Sequence, residues 1–352
     1  MPLSLRRGVV TAVHERREGL ARVEVDGRAC VAYPQLTGPV ALGDEVVVNT
    51  QARDLGLGSG GFDVLYLNLT RGLGLPADSG AHVMKLPYTP LQFAARHVEE
   101  ECSDRSELEG MPVVCCSVHG QVVPVFAALR GLRAAYIQLE GGALALALSD
   151  AVRTLIASSA SVGACFGGDV ECVNAWSALA WAKAAGHDVA VCSVGPGIVG
   201  TGSRLGHGGL AAATAANAAI GLGGRAVVAA RVSEADERAR HQGLSHHTRA
   251  VLDLCLGDVV VADEADGDGW RQACEGLPLS HMGRGPDEDP VIFAAAYAAG
   301  DSATRAGGRD RPDGRRVERG DEVLDGSRLL PRADDALLRG GRRGRRRPAR
   351  AG

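Results

Sequence analysis

The chain has 352 residues, 45% of them hydrophobic, 23% charged and only 4% aromatic, with a formal net charge of −4. That length and composition fit a globular protein of about two domains, with cores built on Val, Leu and Ala. No uninterrupted apolar stretch reaches the ~18 residues a membrane span needs, and the N-terminus lacks the apolar segment and cleavage site of a secretion signal, so a soluble cytoplasmic protein without a membrane partner is expected.

The net charge hides an asymmetry. From Asp301 onward there are 15 Arg and 9 acidic residues, or +6; the remainder then has 38 − 15 = 23 basic against 42 − 9 = 33 acidic residues, or −10. An acidic body is a poor nucleic-acid platform, because phosphate backbones are bound through basic surface. The nine Cys include no Cys-x-x-Cys pair. They read as reduced, buried thiols rather than disulfides or a structural zinc site.

Residues 1–75 read as a small β-rich, barrel-like module. Val9–Val13, Ala21–Val25, Ala29–Tyr33, Glu45–Asn49 and Phe62–Leu67 are short strands, several of them alternating, and Asp26-Gly27 is a hairpin turn. Four or five short strands in this length suggest a small barrel or an oligonucleotide-fold-like module. Residues 80–300 change rhythm. A strand at His82–Leu86 and a helix near Leu91–Glu101 come first. Apolar runs then alternate with helix-length segments: Val113–Val118, Ala134–Leu139, Ser161–Phe166, Asp188–Val194, Ala226–Arg231 and Asp258–Ala262. Continuous apolar strands about one crossover apart predict a doubly wound, mainly parallel sheet covered on both faces. Residues 301–352 are rich in Arg and Gly without aromatic residues, which predicts a disordered tail. A nucleic-acid-binding arm and the product of a reading-frame slip are the other readings of that tail.

Ligands of parallel α/β sheets bind outside the carboxyl ends of the strands. Here the unusual Gly and polar clusters follow the apolar runs. The first is Ser117-Val118-His119. The second is Glu140-Gly141-Gly142. The third, Gly167-Gly168-Asp169-Val170-Glu171, follows Cys165. The fourth runs from Gly195 through Gly197, Gly200, Thr201, Gly202 and Ser203 to His207. The fifth is Arg231, Asp236, Arg238, Arg240, His241, His246 and His247. Glycines let backbone amides approach an anion, and a helix beginning near Leu210 would add its N-terminus; the alternative is a turn needed only for close packing. Arg238 and Arg240 suit a carboxylate or phosphate, and His is the side chain most easily tuned to proton exchange. Ser245 could equally cap a helix with His246 and His247 in its first turn. Asp169 is a ligand or the N-cap of a helix starting at Val170. Cys165 reads as inert core rather than nucleophile.

Taken together, Ser117-Val118-His119, Phe166-Gly167-Gly168-Asp169, Gly195-Pro196-Gly197-Ile198-Val199-Gly200-Thr201-Gly202, Asp236 to His241 and Ser245-His246-His247-Thr248 resemble the motifs of the bacterial family catalogued as domain of unknown function 3866. The resemblance covers roughly residues 5–300 and implies a bacterial cytoplasmic protein, with no activity attached. The chain departs from the family pattern at Glu140, where an Asp is expected, and in the tail after Gly300.

The leading expectation is a protein that binds, and as an enzyme would transform, a small phosphorylated or carboxylated metabolite. Gly197, Gly200, Thr201, Gly202, Ser203, Arg238 and Glu140 are its candidate ligand contacts, and His119, His241, His246 and Asp169 its candidate catalytic groups. No motif names a cofactor. One rival is a non-catalytic interaction protein that uses the β-module. The other is a metal-dependent hydrolase with Asp236, His241 and His246 as ligands.

Overall fold

The computed structural model describes residues 3–56, 61–76, 78–101, 107–262, 267–307 and 315–317. The first module is a closed barrel of five strands, β1 (Leu5–Arg17), β2 (Leu20–Val25), β3 (Arg28–Ala32), β4 (Glu45–Asn49) and β5 (Asp63–Asn68), with short helices α1 (Pro34–Thr37) and α2 (Gln51–Asp54) flanking β4. Its strand order is β1-β2-β3-β5-β4, closed by pairing of β4 with β1, and β3 runs parallel to β5. This is a Greek-key barrel of the oligonucleotide-fold kind. Alternation supplies the core: Val10, Val23, Val25, Val46, Val48 and Leu65 point inward. Asp26 and Gly27 both take positive φ (49° and 73°), as a two-residue hairpin turn between right-twisted strands requires.

Between the modules lies a hairpin, β6 (Val83–Lys85) and β7 (Phe93–Ala95), followed by a single 3-10 turn at Val98–Glu100. The helix expected near Leu91–Glu101 is therefore absent. Tertiary anchors override its local pattern. The Phe93 ring packs edge-on against Phe166 with centroids 5.7 Å apart. The Lys85 ammonium, 1% exposed, donates to the carbonyls of Ser161 (3.2 Å), Cys165 (2.8 Å) and Cys172 (3.4 Å) and pairs with Glu171 at 2.9 Å. Burial pushes the Glu171 carboxyl up and Lys85 pulls it down. Lys85→Met strands a buried carboxylate and three carbonyls, so it should cost about 3–5 kcal/mol in urea unfolding, with much of that recovered in Lys85→Met/Glu171→Leu. Equal costs for the single and double variants would remove the ion pair from this account.

The second module contains, in chain order, β8 (Pro112–Cys116), α3 (Val122–Ala128), β9 (Ala134–Leu139), α4 (Asp150–Leu155), β10 (Ser159–Val162), β11 (Val170–Cys172), α5 (Ala175–Ala184), β12 (Val189–Val194), α6 (Ala211–Gly221), β13 (Arg225–Ala229), β14 (Val232–Ser233), β15 (Gly243–Leu244), α7 (His246–Leu254), β16 (Val259–Ala262), α8 (Gly269–Ala273), α9 (Pro290–Gly307) and β17 (Arg315–Val317). The sheet order is β11-β10-β9-β12-β8-β13-β16-β17. The first seven strands are parallel, and β17 adds antiparallel to β16. Helices α3 and α9 cover one face, where Val114, Cys116, Val191 and Val227 meet Val125, Leu129, Ala296 and Ala299. The Ala-rich α6 packs on β8, β12 and β13 beside α5. No helix among the described residues is long and apolar enough to cross a membrane.

Two local expectations change. The third apolar run is a strand only over Ser159–Val162, and Val170 opens the edge strand β11 rather than a helix. Helix α9 runs to Gly307, past Asp301, because its buried face continues through Ser302 and Ala303. The rest of the proposed tail lies outside the described residues apart from β17. The eight described cysteines are buried, and burial pushes the Cys165 thiol up to about 12, which keeps it an inert core group.

The barrel docks on the sheet module. Leu20 and Val31 pack with Ala147, and Tyr33 meets Phe166 edge-on at 5.7 Å. Arg22 reaches Asp150 at 3.3 Å. Part of the β2–β3 surface is thus occupied within the chain.

Candidate functional site

Strands β12, β8 and β13 are neighbours in the sheet, so the loops after their carboxyl ends converge. The loop after β12 folds back on itself. Gly200 bridges His207, Thr201 N donates to Gly206 O (2.7 Å) and the Thr201 and Ser203 hydroxyls bond each other (2.8 Å). It also packs on the second loop backbone to backbone. A Cβ on Gly141 (φ +120°) would stand 2.5 Å from the Gly208 carbonyl, and one on Gly208 would overlap Gly141. Glycine at both positions is required for this approach. The outcome is that His207, 6% exposed, is held against the fifth loop.

There, four imidazoles form one cluster. His207 stacks on His247 (centroids 3.8 Å apart, planes 13° apart), and His246 lies 4.5 Å from His247 and 4.8 Å from His241. Ser245 caps α7 by accepting from His247 N at 3.2 Å, and the same hydroxyl contacts His241 Nδ1 at 2.8 Å. Around them stands a charged network. Buried Asp236 accepts from Arg238 (2.7 and 2.9 Å) and Arg284 (3.4 Å), with Arg231 at 3.6 Å. Buried Asp289 accepts from Ser233 Oγ (2.5 Å) and Arg284 Nε (3.2 Å). Arg238 holds the Asp236 carboxyl well below the usual carboxylate range. Arg240 has no ion-pair partner among the described residues, and its guanidinium lies beside Gly202, joining the fourth and fifth loops.

Burial, reinforced by Arg231, pushes the imidazole pKa down to about 2 for His247 and about 3 for His241, while His281 falls to about 4 by the same two causes. His207 and His246 are lowered too, burial first. Each of these shifts favours the neutral ring. The tautomers of the rings follow in part from the partners. Arg231 Nη1 lies 3.0 Å from His247 Nδ1, and a guanidinium can only donate. His247 Nδ1 therefore accepts, and its proton sits on Nε2.

That proton bears on metal binding. His207, His246 and His247 present ring nitrogens within 4.8 Å of one another, a different set from Asp236, His241 and His246. A metal-bound imidazole donates its other N–H to an acceptor. His247 does the opposite, and guanidinium groups surround the set. These contacts do not suit a cation, and Asp236 is committed to arginines.

Several buried polar atoms find no partner of good geometry, and among the described residues six of them gather here: Ser117 Oγ, both ring nitrogens of His207 (the Arg204 backbone is near this ring, but out of line), Arg231 Nε, His246 Nε2 and His281 Nε2. Buried polar groups are nearly always hydrogen-bonded, so this concentration marks a place that a polar ligand or ordered water completes. Two cavities, about 260 Å³ on the barrel beside Leu20 and Val40 and about 210 Å³ beside Trp270, border none of these atoms.

The remaining sequence candidates lie elsewhere or are already engaged. His119 donates from Nδ1 to the Val194 carbonyl (3.3 Å) and receives the Ser149 hydroxyl on Nε2 (2.7 Å), so it braces β8, β12 and the cap of α4. Burial lowers its pKa to about 4. Glu140 accepts from Ala164 N at 2.6 Å and braces the third loop. Asp169 accepts from Ser159 N and Oγ (2.7 and 2.8 Å) at the amino end of β10, the far edge of the sheet from the cluster. Gly197 is an exposed turn residue with φ +68°. Of the candidates, His241, His246, Asp236 and Arg238 come together, joined through Arg240 by Gly202. His207 and Arg231 join the cluster as well, and both stand where a strand or its Gly-rich loop ends, which is the signal in the sequence that marks them. No such signal marks His281, Arg284 or Asp289, which enter from the segment before α9.

The closed barrel and the doubly wound, mainly parallel sheet define a two-module α/β protein, with a histidine- and arginine-rich cluster at the carboxyl edge of the sheet. The chain belongs to the family described as Protein of unknown function (DUF3866), whose pattern matches residues 28–271. That span includes the cluster from His207 to Thr248 but not Arg284 and Asp289. No curated protein matches the chain.

Proposed function

We propose that the cluster binds a small anionic metabolite, phosphorylated or carboxylated, with its neutral imidazoles as hydrogen-bonding partners of the ligand. The observation carrying this reading is the gathering of six unpartnered buried polar atoms beside four guanidinium groups. Donors that have lost water without gaining a partner cost about 1–3 kcal/mol each until something accepts from them. The N-terminus of α7, which begins at His246, adds the positive end of its dipole. The Gly-rich loop serves as scaffold for His207 in this reading, because its Thr201 and Ser203 groups bond within the loop.

Thermal unfolding of the full chain against a panel of phosphorylated and carboxylated metabolites tests the proposal. A ligand at ~100 Kd should stabilise by about 2.7 kcal/mol, a rise of a few degrees. Arg240→Gln and His246→Gln should each weaken that response at least tenfold. If no anion raises the unfolding temperature at millimolar concentration, the proposal falls.

A further inference from the structure

Resting on the anion-binding reading, we infer that the ligand group is a dianionic phosphoryl monoester rather than a carboxylate. The inference follows from charge and donor counting at the cluster.

Arg231, Arg238, Arg240 and Arg284 bring four positive charges. Asp236 and Asp289 return two, and the imidazoles are uncharged. These six groups leave a surplus of two, with Arg240 exposed and Glu234 and Glu237 exposed on the same loop. Part of it is buried, since Arg231 is 2% exposed and the Arg231 and Asp236 groups are still 3.6 Å apart. Buried surplus charge is expensive, and the neutralising ligand carries two negative charges. A carboxylate carries one and leaves the other unmatched.

The donors point the same way. Arg231 Nε and the Ser117 hydroxyl are buried donors without acceptors, His207, His246 and His281 each offer an unpartnered nitrogen, and the Nε2–H of His247 and the exposed Arg240 guanidinium add further donors. A planar carboxylate has two oxygens with about four acceptor sites. A phosphoryl monoester has three terminal oxygens arranged tetrahedrally, which match donors arriving from three separate loops. The contributing residues do come from three directions: Ser117 after β8, His207 before α6, and Arg231 to His247 after β13.

Methyl phosphate and dimethyl phosphate separate charge from shape, because both are tetrahedral and they differ by one charge at pH 7.5. Acetate serves as the carboxylate. Calorimetric titration of the full chain should give methyl phosphate at least tenfold tighter than dimethyl phosphate or acetate. Arg240→Gln should abolish most of that preference while leaving the unfolding temperature of the ligand-free protein unchanged. Equal binding of all three anions overturns the dianion inference and leaves the anion-binding reading standing. Tighter binding of acetate than methyl phosphate does the same. If none of these anions binds, and no metabolite in the panel above does, both fall together.

Discussion

Between pH 7.5 and pH 4.5 the protein should lose several kcal/mol of folding stability, most of it below pH 6.5. The cause is the set of buried neutral imidazoles. In the unfolded chain each histidine takes up a proton near its ordinary pKa of about 6.5. In the folded chain His119 and His281 resist until about pH 4, His241 until about 3 and His247 until about 2. Burial is the first cause in each case, and Arg231 adds to it for the last three. Through this window the unfolded state binds more protons than the native state, so stability falls as pH falls. Each such group adds a slope of about 1.4 kcal/mol per pH unit, and four together set an upper bound on the order of 5. Against a typical total of about 5–15 kcal/mol, acid unfolding near pH 5 follows. Asp236 adds little in this window, because its carboxyl stays ionised there in both states: the unfolded one protonates only at about pH 3.9, and the folded one is held lower still, so its contribution is lost at more acid pH. Urea unfolding at pH 7.5, 6.5, 5.5 and 4.5 measures the slope. A flat profile would mean that the imidazoles meet solvent or already carry their protons, and the electrostatic account of the cluster would be wrong. A dianion bound at the cluster should move the acid midpoint downward.

Asp236→Ala should be the most damaging single substitution in the cluster, costing about 3–5 kcal/mol. One carboxylate stands among three guanidinium groups, with Arg238 bidentate and Arg284 and Arg231 farther out. It is itself 2% exposed. Its loss leaves partly buried like charges facing one another, with Asp289 the buried carboxylate among the described residues that still opposes them. The damage should depend on the arginines. Asp236→Ala combined with Arg231→Met should unfold at higher urea than Asp236→Ala alone, because the second change removes the most deeply buried uncompensated charge. An anion bound at the cluster should also rescue Asp236→Ala more than wild type. Strictly additive effects of the two substitutions would show that Asp236 and Arg231 are not coupled, and the network would have to be redrawn.

Much of the architecture was readable before any coordinates. Strands buried on both faces must be apolar throughout, so Val113–Val118, Ala134–Leu139 and Asp188–Val194 announce a covered parallel sheet. The barrel strands are wet on one side, and they alternate instead. Asp26-Gly27 can only be a tight turn. Ser245 reads as a cap because its hydroxyl acts within two residues. Where the pattern misled, a distant partner had intervened. The segment Leu91–Glu101 looks helical, yet Lys85 and Phe93 anchor it to β10 and Phe166 instead. Val170 continues as strand because β10 offers it a free edge.

The candidate site divides along the same line. Residue types and their position after strands point to His241, His246, Arg238 and Asp236 as one chemical group. They also point to His119, Glu140 and Asp169, which fold into structural braces. Local sequence holds what depends on neighbours a few residues away: periodicity, turns and caps, whose energies are settled within one element. It cannot hold which imidazole is left without a partner, which tautomer Arg231 imposes on His247, or that Arg284 and Asp289 close the network from 40 or more residues downstream. Those follow from desolvation and charge pairing across the folded interior, and both exist only once the chain has brought the groups together.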